Sequence, residues 1–188
     1  MSIQDARPPS RLQFGLMWSR MKKVARFDRA EVLELKENKT AMGQAVAILV
    51  FSSLSVGIGQ TLLAEYPKNI SAYGIIVGGL GGIIIGGFAA LVWSGMLFLV
   101  GTKLFQGKTS FWELARPMFF SFSPALFFIL VAIPVAVLYK TVAIVISAWV
   151  VASQGFVLKQ VMGIDLRRTV LTFAVAFMIL LFIYLQFA

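Results

Sequence analysis

Five uncharged, strongly apolar runs constrain this chain more than any other feature. They cover Thr40 to Ala64, Asn69 to Thr102, Pro117 to Tyr139, Thr141 to Leu158 and Thr169 to Ala188, which is 25, 34, 23, 18 and 20 residues. A hydrocarbon core of ~30 Å takes about 20 apolar residues to cross as a helix. Inside it every backbone N–H and C=O needs a partner from the protein, so helix is the expected conformation. The chain is therefore expected to be all-α, an integral membrane bundle of five transmembrane helices at about 42–64, 74–102, 117–139, 141–158 and 169–187. A basic tail, residues 1–39, precedes the spanning domain, residues 40–188. The composition agrees: 59% of residues are hydrophobic and 13% charged, whereas a soluble domain carries about 25% charged residues.

The second run needs a decision. As one helix its 34 residues would reach roughly 51 Å, and a bend near Gly81 would turn it into a hairpin. Charge placement separates the two readings. With five helices, the nine Lys/Arg of the tail share a side with Lys103, Lys108 and Arg116 and with Lys159, Arg167 and Arg168, fifteen in all, against Lys68 and Lys140. With six helices the split is ten to seven. The positive-inside rule selects five, with the N-terminus in the cytoplasm, the C-terminus outside and Asn69–Tyr73 as outer loop. The net charge of +9 then belongs to membrane flanks, and nucleic acid is not expected as a partner. The first 40 residues lack the apolar core of a signal peptide, so the first spanning helix is expected to act as the targeting signal.

Within the tail, Phe14, Met17, Trp18, Met21, Val24 and Ala25 recur at helical spacing. Arg20, Lys22, Lys23 and Arg26 surround them. This pattern predicts an N-terminal amphipathic interfacial helix, with Trp18, Arg20, Lys22, Lys23 and Arg26 contacting anionic lipid headgroups or a partner. The alternative is a solvated tail that only fixes topology. Residues 28–39 are mixed in charge and are expected to continue helical to the membrane.

Gly74, Gly78, Gly82 and Gly86 follow one another at i, i+4 spacing, with Ala90 and Ser94 beyond. Such a small-residue row lets another helix approach closely, either within the chain or from a second copy. Pro124 and Pro134 lie ten apart in the third run and are candidate hinges. Pro124 should bend its helix, with Ser121 and Ser123 able to take freed carbonyls. Ser110 and Glu113 have the spacing of a capping box. Gly107-Lys108-Thr109 matches the end of a phosphate-binding loop, but the upstream glycine and strand are missing, so the match is rejected.

The chain has no cysteine and no histidine, which removes disulfides, thiolate chemistry, and the commonest general base and metal ligand. No ionisable residue falls inside the five runs, and ion-coupled carriers ordinarily keep such groups there. No catalytic, cofactor or metal site is expected. A non-enzymatic scaffold, adaptor or accessory subunit fits this inventory, with a membrane protein or a second copy as partner. The alternative is a small-solute or lipid transporter, in which Gln44, Ser52, Ser53, Ser55, Gln60, Thr61, Ser153 and Gln154 would line a path instead of joining helices.

The layout resembles the Yip1 family over roughly residues 20–188. The likeness rests on the basic tail, the five apolar segments and the outer C-terminus. It also rests on the run from Gly107 through Phe111, Leu114 and Ser121 to Pro124, then Ile133-Pro134. The eukaryotic branch of that family usually carries an acidic Asp-Leu-Tyr-Gly-Pro-like tail motif and is implicated in vesicle traffic through prenylated Rab GTPases. This tail lacks the motif and is short, like those of prokaryotic members, so a prokaryotic cell membrane is the location the resemblance implies. The topology can be tested directly in a chain without cysteine: single cysteines placed at Ser2 and at Ala188 should label from opposite sides of the membrane. Labelling from the same side would sink the five-helix arrangement.

Overall fold

A computed structural model describes residues 13–65, 71–132 and 138–187. Two short helices come first, α1 (Phe14–Ala25) and α2 (Arg29–Glu37). The long α3 (Met42–Glu65) follows. Next, α4 (Ala72–Gly81) runs through a π-helical turn (Gly82–Gly86) directly into α5 (Gly87–Lys103). Then come α6 (Phe111–Phe120), a 3-10 segment (Ser123–Ala132), α7 (Leu138–Met162) and α8 (Leu166–Phe187). Five stretches are long and apolar enough to cross a membrane: Lys39–Ala64, Ala72–Lys103, Phe111–Leu130, Lys140–Met162 and Leu166–Gln186. The long second run is thus one continuous crossing. It begins at Ala72, with the Ser71 hydroxyl accepting from the Gly74 N–H at 2.9 Å. Pro134, Asn69 and Ile70 lie outside the described residues.

The third crossing is the core of the bundle. Within its apolar 18-residue stretch 67% is buried, against 11–33% in the corresponding stretches of the other four. Every side chain from Leu114 to Phe120 is buried. The crossing starts six residues earlier than the sequence suggests, because the Ser110–Glu113 capping box forms and the Ser110 N–H donates to Glu113 at 2.8 Å. It also does not resume as an α-helix beyond Pro124. A 3-10 stretch of ten residues is long for a geometry that seldom exceeds 3–4, and α3 supports it. The Ser52 hydroxyl donates to the Phe122 carbonyl at 3.0 Å. Ser55 donates to the Leu126 carbonyl at 2.8 Å and accepts from the Ile129 N–H at 3.1 Å. One hydroxyl therefore stands between a carbonyl and the amide three residues on, a side chain inserted into the helix ladder. Of the two local serines expected to help, Ser121 bonds the Met118 carbonyl at 2.5 Å. Ser123 finds no partner among the described residues.

Three members of the glycine row, Gly78, Gly82 and Gly86, lie against α3. A Cβ on Gly82 would come within 2.5 Å of the Ser53 carbonyl and 2.7 Å of Gly57 Cα, and one on Gly86 within 3.1 Å of the Ser53 hydroxyl. A Cβ on Gly78 would collide with Thr61. The opposing surface is Ser53, Gly57 and Thr61, itself an i, i+4 row of small residues. Gly59 on the same helix admits the Phe128 carbonyl, 2.7 Å from where its Cβ would be. So α3 meets α4 with one small face and the 3-10 segment with another.

Gly57→Leu should lower the thermal unfolding midpoint in detergent, because overpacking costs about 1–3 kcal/mol and no flexible neighbour can move aside. Gly81→Ala, where an added Cβ meets nothing within 4 Å, should leave it unchanged or slightly raised, since alanine favours helix over glycine by about 1 kcal/mol. Equal midpoints for the two variants would refute this packing.

Candidate functional site

The two N-terminal helices form a hairpin fastened to one end of the bundle, the end that carries most of the basic residues. The turn between them is set by local chemistry. Phe27 adopts a left-handed φ of 61°, and the Asp28 N–H reaches back to the Lys23 carbonyl at 3.0 Å, the long bond of a Schellman ending. Asp28 then caps α2 by accepting from the Glu31 N–H at 3.2 Å. The unusual φ is held from outside, because the Phe27 ring packs edge-on against Phe156 of α7 at 5.6 Å.

Arg20 ties the hairpin together. It is 6% exposed, and its guanidinium donates to Glu34 at 2.7 Å and to Gln44 at 2.8 Å, with Glu31 at 3.4 Å from Nε. Glu31 is 7% exposed and also accepts from Lys23 at 2.9 Å. One arginine on α1 thus joins two carboxylates on α2 to the first turn of α3. A buried arginine is tolerable only when paired in this way. Lys23 is solvent-exposed, and its bond to Glu31 raises its pKa above the ordinary 10.5. Its contribution is complete at neutral pH and is lost only as the pH rises past that raised value.

Three helix C-termini at this site receive donors from other elements. Trp149 of α7 donates its indole N–H to the Ala25 carbonyl ending α1, at 2.9 Å. Arg116 of α6 donates to the Leu35 carbonyl at 3.0 Å and to the Lys36 carbonyl, both at the end of α2. Lys36 donates to the Val161 carbonyl near the end of α7, at 3.1 Å. Terminal carbonyls lack intrahelical partners and carry the negative end of the helix dipole, so cationic donors suit them. Arg116 reads as a loop charge in the sequence, yet it is 5% exposed.

The expected lipid-facing residues divide. The apolar stripe of α1 is wider than the protein covers. Its inner margin, Met21 and Val24, is buried, and Met17 packs against the core. Its outer margin, Phe14 and Trp18, is 64% and 53% exposed. Beyond it stand Lys22, Lys23 and Arg26, also exposed, with Lys22 5.8 Å above the Trp18 ring. Arg20 departs from the expectation of headgroup contact, because it turns inward to Glu31, Glu34 and Gln44. Glu31, Glu34, Gln44 and Arg116 escaped the sequence reading as a group. The available signal was a run of acidic residues at helical spacing just after a basic helix. Among the described residues no cluster of three or more His, Cys, Asp or Glu could hold a metal.

Arg20→Met should undock α1. Removing one partner of a buried pair costs about 3–5 kcal/mol, and the loss should fall at the lower end because Glu31 keeps Lys23. Hydrogen exchange of the amides in Phe14–Ala25 should accelerate at least tenfold, with α8 unchanged as the internal reference. Unaltered exchange would mean that the ion pairs do not hold the helix.

No curated protein and no solved structure matches the chain. A family model, the Yip1 domain, matches residues 28–187. The match begins at the N-cap of α2, includes every spanning helix, and leaves α1 outside. With a match over most of its length and five crossings of the required length and apolarity, the chain belongs to the Yip1 family and is a multi-pass integral membrane protein.

Proposed function

We propose that the protein is a non-enzymatic membrane scaffold or adaptor, with the α1–α2 hairpin as its contact platform on the cytoplasmic side. The observation that carries this reading is the contrast between the two faces of α1. The inner face is fixed by buried Arg20, Met21 and Val24. The outer face leaves Phe14, Trp18, Lys22 and Arg26 in one exposed i, i+4 row. A helix held rigidly on one side and left aromatic and basic on the other is a ready surface for anionic headgroups or for an acidic partner, since its ordering cost is met before contact. The orientation follows from the basic residues, which favour the cytoplasmic side.

The test uses the full chain in its native membrane. Trp18→Ala, Lys22→Glu and Arg26→Glu are combined in one variant and compared with the unaltered protein by gentle affinity purification with mass spectrometry of proteins and lipids. A near-stoichiometric protein or anionic lipid that disappears from the variant, with the thermal midpoint preserved, is the expected result. Identical copurification from both would remove the platform reading. Solute flux in reconstituted vesicles would replace the scaffold with a transporter.

A further inference from the structure

A cavity of about 820 Å³ lies among α3, α5, the 3-10 segment, α7 and α8. That is within the range of about 300–1,000 Å³ typical of small-molecule sites. Its floor is buried and apolar, formed by Ala90, Ala125, Phe128 and Ile146. Its mouth is made by exposed residues of two spanning helices, Ser147 and Val151 of α7 with Val170, Ala174 and Phe177 of α8. The cavity therefore opens sideways, at the depth where hydrocarbon is the solvent.

One hydrogen-bonded polar pair stands in this lining, whose other polar side chains are Ser147 at the mouth and Gln60 of α3. The Trp93 indole donates to the Gln154 side-chain oxygen at 2.9 Å. An indole can only donate, so the oxygen of Gln154 must face it and the amide NH2 is turned elsewhere. Gln154 is 4% exposed and lines the cavity, and the bond to Trp93 engages its oxygen and not its NH2. An amide donor at membrane depth needs an acceptor, and an occupant of the cavity can supply one. The pair's place in the cavity says which acceptor. Gln154 is five residues from Lys159, roughly 7.5 Å along α7, so it lies toward the basic end of the bundle. From there the lining runs back to Ile146, about 12 Å, and is apolar almost throughout. A second chamber of about 510 Å³ adjoins it, sharing Val56, Gln60, Gly86, Phe122 and Ala125.

We propose that this cavity binds one diacyl glycerolipid from the leaflet at the basic end, entering between α7 and α8, with an ester carbonyl accepting from the Gln154 amide. The polar group is near the headgroup boundary and the apolar volume lies below it, the order in which an ester carbonyl and its acyl chain occur. The adjoining chamber leaves room for the second chain. Trp93 acts as a positioning residue, because its N–H fixes which way the amide points.

Native mass spectrometry of the full-length protein, stripped in mild detergent and then supplied with palmitoyl-oleoyl phosphatidylglycerol, tests the proposal. One lipid per chain should survive collisional removal of detergent. Gln154→Leu should reduce its retention about fivefold to tenfold, the effect of losing one hydrogen bond. Ala174→Trp, a change on the exposed mouth, should abolish retention without lowering the thermal midpoint. A readout independent of both variants is quenching by a phosphatidylcholine brominated in mid-chain. The part of the tryptophan fluorescence that Trp93→Phe removes should remain quenched after dilution into unbrominated lipid. No retained lipid, or retention in either variant equal to that of the unaltered protein, would overturn the proposal.

Discussion

In hydrocarbon a backbone carbonyl or amide without a partner costs several kcal/mol, and this constraint organises the bundle around its third crossing. After Phe120 that crossing leaves α-helical geometry, and Pro124 supplies no N–H. Support comes from α3: Ser55 stands between the Leu126 carbonyl and the Ile129 N–H, and Ser52 adds a second donor to the Phe122 carbonyl, which also accepts from the Ala125 N–H. The approach depends on Gly59, which admits the Phe128 carbonyl. The same helix uses Ser53, Gly57 and Thr61 to receive the glycine row of α4 and the π turn. One helix of small and hydroxylated residues therefore sets where both of its neighbours stand.

The basic end applies the same rule to helix termini. Carbonyls ending α1, α2 and α7 are taken by Trp149, Arg116 and Lys36, each from a different helix. The hairpin and the spanning helices are thus reciprocally capped. Arg20, Glu31 and Glu34 supply the electrostatic half of the attachment. Since the family match begins at residue 28, α2 and its contacts with α6 and α7 belong to the matched region, while α1, with Arg20 and Lys23, adds a second, partly exposed layer to it. The contact platform and the lipid cavity are separate proposals about separate surfaces, one at the end of the bundle and one in its side.

Much of this was legible in the sequence. Apolar runs and charges act additively along a chain, so the number of crossings, the all-α class and the resolution of the long second run could be read without coordinates. The capping box at Ser110 and Glu113 was readable because it is local, with a fixed spacing. That a helix would cover Phe14–Ala25 was readable too, but which of its apolar residues would be covered was not, because that depends on what lies beside the helix.

Residues far apart in the chain decided the rest. Nothing in the neighbourhood of Ser55 announces that its hydroxyl will enter a helix ladder more than 70 residues away. Arg20 and Arg116 look like their exposed neighbours until Glu34, Gln44 and the end of α2 come within hydrogen-bonding distance. The amide of Gln154 becomes a directed donor only when Trp93 takes its oxygen. Hydropathy and net charge are properties of single residues, and the sequence by itself determined what depends on their sum. Burial, capping and cavity shape are properties of pairs brought together across the bundle, and only the tertiary structure decided those.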